Sequence, residues 1–261
     1  MARAVLTRPS MRQVLVMWCF FLGCAPVPHA GLDGRIAFEI ESDTAELGAT
    51  PVAAGTELRL TLRWIDTGSV PEGVALFSTA GDALIVPDSG QVPATEVRAR
   101  EVLRARVTFR AGPVTLEART PSGTVLDRLV VQVASPSGLR ARLDPTSRCA
   151  RLSAAGDRLS VVPGTSTALL DFSFVTASGQ RMLGTPSLAS ACLGTEPRCL
   201  STAGSRLSLE WSPTAGEAVG GALATFFTFG LARGTSTTLA VRDASGLSST
   251  VIVDDQGQCA P

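Results

Sequence analysis

The feature that most constrains the fold is a pattern of alternating apolar and polar residues that occurs in two similar copies. Residues 113–133 and residues 236–253 each contain an alternating run, a Ser-Gly pair and a second alternating run rich in valine. Alternation with a period of two is typical of a half-buried β-strand, and a Gly between two such runs predicts a hairpin turn. The sequence therefore predicts two β-hairpins, with turns at Gly123 and Gly246.

A second pair of matching strands lies upstream of the hairpins, and each begins with a Gly-Thr pair. When one inserted residue is allowed, the apolar positions of the first strand, Leu58, Leu60, Leu62 and Trp64, correspond to Ala168, Leu170, Phe172 and Phe174. Because the same two pieces recur in the same order, we expect two copies of one all-β domain.

The predicted strands divide the chain into a first domain at residues 33–134, a linker at residues 135–138 and a second domain at residues 139–261. Turn signals recur every 8 to 12 residues in the first domain, and no stretch keeps a helical period for long. Short strands, an early aromatic at Trp64 and a terminal hairpin resemble an immunoglobulin-like β-sandwich. The resemblance implies an all-β chain of two tandem sandwiches, and the short linker predicts a semi-rigid arrangement.

The amino terminus has the pattern of an export signal. Three arginines precede an unbroken apolar run at residues 14–22. A bilayer span requires about 20 apolar residues, so a basic start followed by a short apolar run predicts a signal peptide. Translation could start at Met1 or at Met11, because residues 11–24 alone also have a basic start followed by a short apolar run.

The apolar run ends in the four letters FLGC, with Gly23 before Cys24. This ending resembles the lipobox of bacterial lipoproteins, in which a small residue precedes a Cys that is acylated after cleavage. The resemblance implies a signal peptide at residues 1–23, lipid such as palmitate on Cys24, and a tether at residues 24–32. It also implies a membrane-anchored protein of the cell envelope, periplasmic or at the cell surface, with the outer membrane favoured. Cleavage of an ordinary signal peptide after Ala30 is the alternative.

Four cysteines follow the predicted tether, and all of them lie in the second domain: Cys149, Cys192, Cys199 and Cys259. An even number in an exported chain predicts two disulfides, for which three connectivities are open. We favour the pairings Cys192–Cys199 and Cys149–Cys259. The first disulfide would close a protruding loop at residues 179–204, and such a loop is suited to recognition. No pair has the C-x2-C spacing of zinc sites, so we expect no bound metal.

The residue types needed for common catalytic chemistry are missing. His29 is the only histidine, and the chain contains neither lysine nor tyrosine. A Ser-His-Asp triad, a Schiff-base lysine and a phosphate-binding lysine loop are therefore excluded. Paired carboxylates remain chemically available, but the sequence does not place such a pair. We expect a non-enzyme with no catalytic residue and no cofactor, and the zero net charge gives no indication of a nucleic-acid partner.

Three arginines alternate with apolar residues on one predicted strand: Arg104, Arg106 and Arg110. Side chains at every second position share a face, so these three form a cationic strip of about 20 Å that suits an anionic partner. In the alternative, the strand faces solvent and its arginines pair with acidic neighbours. We favour this alternative.

These patterns together predict a non-catalytic, lipid-anchored protein of the cell envelope that acts as an interaction or structural module. Its expected partners are the membrane, through the lipid, and another envelope protein, as in an envelope assembly. The alternative is a glycan-binding or adhesion module at the cell surface, which an exposed Trp211 or Phe226 beside the arginines or the disulfide loop would favour.

Overall fold

The structure is a computed structural model. It describes residues 30–41, 43, 45–88, 100–162, 167–194, 198–201, 204–211, 225–229 and 235–255, with the backbone alone at residues 198, 200, 201, 210, 211 and 225–229. Every regular element in these ranges is a β-strand. The predicted all-β class is therefore confirmed.

The described residues of the first half of the chain form seven strands. They are β1 Ile36–Ile40, β2 Val52–Ala53, β3 Thr56–Trp64, β4 Ala75–Pro87, β5 Glu101–Arg119, β6 Val125–Val131 and β7 Val133–Ala134.

The second half of the described chain forms ten strands. They are β8 Gly138–Leu143, β9 Ala150–Leu152, β10 Arg158–Val161, β11 Thr167–Val175, β12 Leu188–Leu193, β13 Arg198–Ser201, β14 Arg206–Trp211, β15 Thr225–Phe229, β16 Ser236–Asp243 and β17 Ser248–Asp255.

One five-stranded sheet surrounds the core of the first half. Its order is β1-β3-β5-β4, and β6 pairs with the carboxyl-terminal part of β5. The Gly-Asp pair at residues 81–82 is typical of a turn, but β4 continues through this point and stays paired with β5 through several register shifts. Gly81 has a φ of 79°, and a Cβ there would lie 2.3 Å from the Pro113 carbonyl oxygen. This close approach lets the long β4–β5 pair bend, so that its two ends pack on opposite sides of one core.

Two sheets form the second half. A six-stranded sheet has the order β13-β12-β16-β17-β10-β9, and a four-stranded sheet has the order β15-β14-β11-β8. Both predicted hairpins are confirmed, because β5 pairs antiparallel with β6 and β16 with β17. Each half also contains a parallel pair that joins an early strand to the end of the hairpin: β2 with β7, and β10 with β17.

The buried apolar side chains form two clusters, one for each half of the chain. The eight apolar positions that the sequence aligned between the two copies, on β3 and β11, are all buried. Trp64 belongs to the first cluster, and its indole Nε1–H donates to the Gly68 carbonyl at 3.3 Å. The alternating pattern therefore identified the strands that lie at the centre of each cluster.

A buried carboxylate holds the start of the first half against its last hairpin. Asp127, on β6, is fully buried. Its Oδ2 accepts hydrogen bonds from the backbone N–H groups of Arg35 at 2.7 Å and Ile36 at 2.8 Å. Its Oδ1 accepts from Asp33 N–H at 2.9 Å and Arg128 N–H at 2.8 Å. One side chain thus satisfies four backbone donors, which fixes where β1 begins.

We expect Asp127→Ala to lower the free energy of unfolding by about 2–4 kcal/mol, because it leaves buried N–H groups without their charged acceptor. Asp82→Ala is the matched control. The Asp82 side chain is 58% exposed and forms a surface ion pair with Arg110 at 3.6 Å, so its removal should change stability by no more than about 1 kcal/mol. Chemical denaturation of both variants measures the difference, and equal losses would contradict a structural role for Asp127.

Candidate functional site

Several residues singled out from the sequence lie outside the described part of the chain. Cys24, the predicted lipid attachment point, and Cys259 are among them, and the side chains of Trp211 and Phe226 are not described. No helix in the described ranges has the length and apolar character required to cross a membrane. The lipid anchor and the test for exposed aromatics therefore stay predictions.

The Cys192–Cys199 disulfide is confirmed. The two cysteines are directly opposite each other in the antiparallel pair β12–β13, with their Cα atoms 4.0 Å apart. The sequence predicted a protruding loop at residues 179–204, but β12 pairs with β16 and with β13, so these two strands of the segment belong to the six-stranded sheet. Cys149 is also disulfide-bonded, while its predicted partner Cys259 lies outside the described residues.

The predicted cationic strip lies on β5 and comprises Arg104, Arg106 and Arg110. The Arg104 guanidinium forms ion pairs with Glu101 at 2.6 Å and with Glu41 at 4.0 Å. Arg110 forms an ion pair with Asp82 at 3.6 Å. Two of the three charges therefore have acidic partners.

Arg106 has a different environment from the other two arginines of the strip. Its neighbours across the strands are Arg59 on β3 and Val86 on β4. A pair of like charges at directly opposite positions weakens a sheet rather than forming a continuous binding strip. These contacts favour the interpretation of β5 as a charged, solvent-facing strand.

Two carboxylates of the second half, Asp144 and Asp157, have pKa values below the ordinary value because hydroxyl and N–H groups donate to them. The Thr146 hydroxyl and the Thr146 N–H donate to Asp144, and with a smaller effect from Arg206 they lower the pKa of Asp144. The Ser153 hydroxyl lowers the pKa of Asp157 in the same way. A general acid at neutral pH requires the opposite shift, so these two groups have the environment of structural turn residues. Within the described ranges no three His, Cys, Asp or Glu side chains are grouped closely enough to hold a metal ion.

The two halves of the chain meet through backbone hydrogen bonds. On one side β2 pairs with β7. On its other side the Ala53 N–H donates to the Leu183 carbonyl at 2.9 Å, and the Leu183 N–H donates to the Pro51 carbonyl at 2.8 Å. Leu183 lies between β11 and β12, in the second half. We refer to this contact of residues 51–53 with residues 182–184 as the joint.

The joint also exchanges side chains between the two clusters. Leu183, from the second half, is 1% exposed and packs in the first cluster. Ala53, from the first half, is fully buried in the second cluster. The preceding residue, Met182, packs in the second cluster, and its N–H donates to the Phe174 carbonyl at 2.9 Å. Consecutive residues thus reach opposite cores, as the side chains of an extended segment do.

A close backbone approach and an ion pair complete the joint. Gly184 has a φ of 108°, and a Cβ at this position would lie 2.6 Å from the Thr56 Cγ2 atom. Beside it, the guanidinium of Arg181 donates to the carboxylate of Asp43, which joins the second half to the first. A cavity of about 230 Å³ lies here, with Asp43, Arg181 and Leu183 among its lining residues.

An open groove with four arginines continues from this cavity along the second half. It has a volume of about 560 Å³, and it is formed by β8, by β9 with the turn that follows it, and by single residues of neighbouring segments. The arginines are Arg140, Arg142, Arg151 and Arg181. No Asp or Glu of the described chain lines it. The groove is therefore a concave surface with four positive charges and no carboxylate among its described lining residues.

The sequence indicated only part of this groove. Alternation with the buried Leu139 and Ala141 placed Arg140 and Arg142 on the outer face of one strand. Arg151 and Arg181 are separated from that strand by connections of different lengths, so no local pattern links them to it. Only the tertiary fold brings the four side chains together, and a prediction of long-range strand pairing would have been needed to find the groove.

No protein-family model matches the sequence, and comparison with curated proteins finds no match.

We expect Gly184→Ala to loosen the joint, because the added Cβ would clash with the Thr56 side chain. The residue also has a positive φ, which is strained for alanine. Gly179→Ala is a matched control, since Gly179 has a φ of 80° with no atom within 4 Å of an added Cβ. Each substitution should lose about 1 kcal/mol from backbone strain, and Gly184→Ala should lose about 1–3 kcal/mol more from overpacking. Limited proteolysis at residues 135–137 should be faster in Gly184→Ala only. Equal cleavage of both variants would show that the contact with Thr56 does not hold the joint.

Proposed function

We propose that this chain is a non-catalytic, lipid-anchored module of the cell envelope, built from two immunoglobulin-like sandwich domains that are held as one rigid body. The observation that carries the proposal is the joint, in which backbone hydrogen bonds and an exchange of buried side chains connect the two halves. A joint of this kind suits a protein that holds a surface at a fixed position and orientation.

The strand order of the first half supports an immunoglobulin-like topology. Constant-type domains place strands A, B, E and D in one sheet and C, F and G in the other. If β4 provides C and then D, and β5 provides E and then F, the order β1-β3-β5-β4 corresponds to A-B-E-D. The other ends of β4 and β5, with β6, correspond to C-F-G.

The second half follows the same plan with two differences. The order β8-β11-β14 corresponds to A-B-E, and β12-β16-β17 corresponds to C-F-G. At the position of strand D lies β15, which follows β14 in the chain and pairs with it in parallel. The additional strand β13 lies beside β12 and carries the disulfide. The shared parallel pairs, β2–β7 and β10–β17, further support two copies of one domain.

The short connection between the halves supports a rigid arrangement. β7 ends at Ala134 and β8 begins at Gly138. Within this connection the Ser137 N–H donates to the Val175 carbonyl on β11 at 2.8 Å. Interfaces between domains of one chain are often small and polar and allow relative motion. Here apolar residues and backbone pairs cross the interface, which restricts that motion.

The resemblance of residues 21–24 to a lipobox supports attachment to the membrane. In that arrangement the tether at residues 24–32 leads from the lipid to the first sandwich, whose β1 begins at Ile36. The joint would then fix the second sandwich relative to the first, so that both are presented together at the envelope surface.

Metabolic labelling with an alkyne analogue of palmitate tests the anchor. We expect label in the natural chain, no label in Cys24→Ser, and unchanged label in Cys19→Ser, since Cys19 lies within the predicted signal peptide. Labelling that persists in Cys24→Ser, or is absent from the natural chain, would contradict lipid attachment at Cys24.

In-cell crosslinking tests the role as an interaction module. We expect the natural chain and Gly179→Ala to capture the same envelope protein in a near-stoichiometric amount. Gly184→Ala should capture about fivefold less of it, as expected for a loss of about 1 kcal/mol in a domain-spanning contact. Immunoblotting checks that the three chains accumulate equally. Capture of no envelope protein by the natural chain would contradict the proposed role.

A further inference from the structure

We infer that the arginine-lined groove between β8 and β9 is a binding site for a phosphate group, carried by a small phosphate ester or by a phospholipid headgroup. This inference goes beyond the proposed function, because a rigid envelope module needs no ligand in this groove. The site rests on Arg140, Arg142, Arg151 and Arg181, whose side chains line one open groove.

The charge of the groove is not balanced by its own lining. Four guanidinium groups line it, and the described lining contains no carboxylate. Asp43 neutralises Arg181 from outside the groove. In a chain with 23 basic and 23 acidic residues, this leaves a local excess of positive charge that a concave, low-dielectric surface concentrates.

Two of the arginines are available for a ligand. Neither Arg142 nor Arg151 forms an ion pair within the part of the chain that the structure describes, and both are exposed. Asp171 is opposite Arg142 across the β8–β11 pair, but its carboxylate accepts hydrogen bonds from Arg206 at 2.7 and 3.1 Å. The carboxylate at the position opposite Arg142 is therefore already engaged.

The other two arginines are held in place. The Arg140 guanidinium donates to the carbonyls of Ala154 and Gly179, and that of Arg181 donates to Asp43. These contacts fix two side chains of the groove before a ligand binds, which reduces the entropy lost on binding. The groove thus combines two anchored guanidinium groups with two that are free to close on an anion.

The chemistry of the lining favours phosphate. Guanidinium groups present planar pairs of N–H donors that match phosphate oxygens, and a phosphate ester carries up to two negative charges and three acceptor oxygens. The volume of about 560 Å³ lies in the range of small-molecule sites. The groove lining contains no aromatic side chain among the described residues, and a sugar-binding site would use one for stacking. The recognised group is therefore a phosphate with net negative charge, whatever molecule carries it, and a zwitterionic headgroup should bind more weakly.

Isothermal titration calorimetry of the full chain with its disulfides intact tests the site. One titration uses inorganic pyrophosphate, and a second uses water-soluble dihexanoyl phosphatidylglycerol, with dihexanoyl phosphatidylcholine as its zwitterionic control. Saturable binding of pyrophosphate alone would assign the site to soluble phosphate esters. Preferential binding of phosphatidylglycerol would assign it to a lipid headgroup.

The variant Arg142→Gln/Arg151→Gln should weaken binding of the preferred probe at least about tenfold, because each guanidinium supplies charge-assisted hydrogen bonds. Arg35→Gln/Arg242→Gln is the matched control. Both of its residues are exposed, neither lines the groove, and their substitution removes the same charge. Circular dichroism and thermal melting check that both variants fold.

Three results would overturn the site: no saturable binding of either probe, equal weakening in the two double variants, or equal binding of the zwitterionic lipid. All of these are read from purified protein and do not depend on lipid at Cys24 or on an envelope partner. Failure of the site would therefore leave the proposed function untouched, and failure of the anchor would leave the site.

Discussion

The exchange of Leu183 and Ala53 between the two clusters is the contact on which the rest of the structure depends. A fully buried leucine contributes about 1.5–3 kcal/mol relative to an exposed one, and here that contribution to the first cluster comes from the second half of the chain. The backbone groups that bring Leu183 there are themselves paired with β2, so the segment crosses between the halves without leaving buried polar groups unsatisfied. Each cluster contains a residue from the half of the chain that forms the other cluster. The two halves of the chain therefore depend on each other for packing as well as for orientation.

This interdependence connects the joint to the arginine-lined groove. Arg181 lines the groove and also forms the ion pair with Asp43 that bridges the halves. Met182 and Leu183, the next two residues, enter the two cores. A change at the joint would therefore move one of the guanidinium groups of the groove, and an anion bound by Arg181 would compete with Asp43. Because the groove lies beside the joint, its geometry depends on how the two halves of the chain are oriented.

The alternating pattern was sufficient to predict the strands at the centre of each cluster, because side chains on β3 and β11 alternate between core and solvent. It also predicted both hairpins, whose turns contain glycines of positive φ at positions 123 and 246.

The alternating pattern did not predict that β4 continues through Gly81. A Gly-Asp pair is typical of a turn, and only the pairing with β5 shows that the strand bends instead. The joint was not predicted either, because Leu183 lies in a short segment without alternation and its partners are more than 100 residues away. The groove was missed for the same reason, since Arg142 and Arg181 meet only through the tertiary fold.

Residual dipolar couplings of backbone N–H groups in a weakly aligned sample most directly test whether the two halves of the chain form one rigid body. Couplings from residues 36–134 and from residues 139–255 report the alignment of each half separately. If the joint holds, one alignment tensor fits both sets with the same magnitude and orientation in the frame of the structure. Two tensors of different magnitude would show that the halves move independently, which would contradict the rigid arrangement.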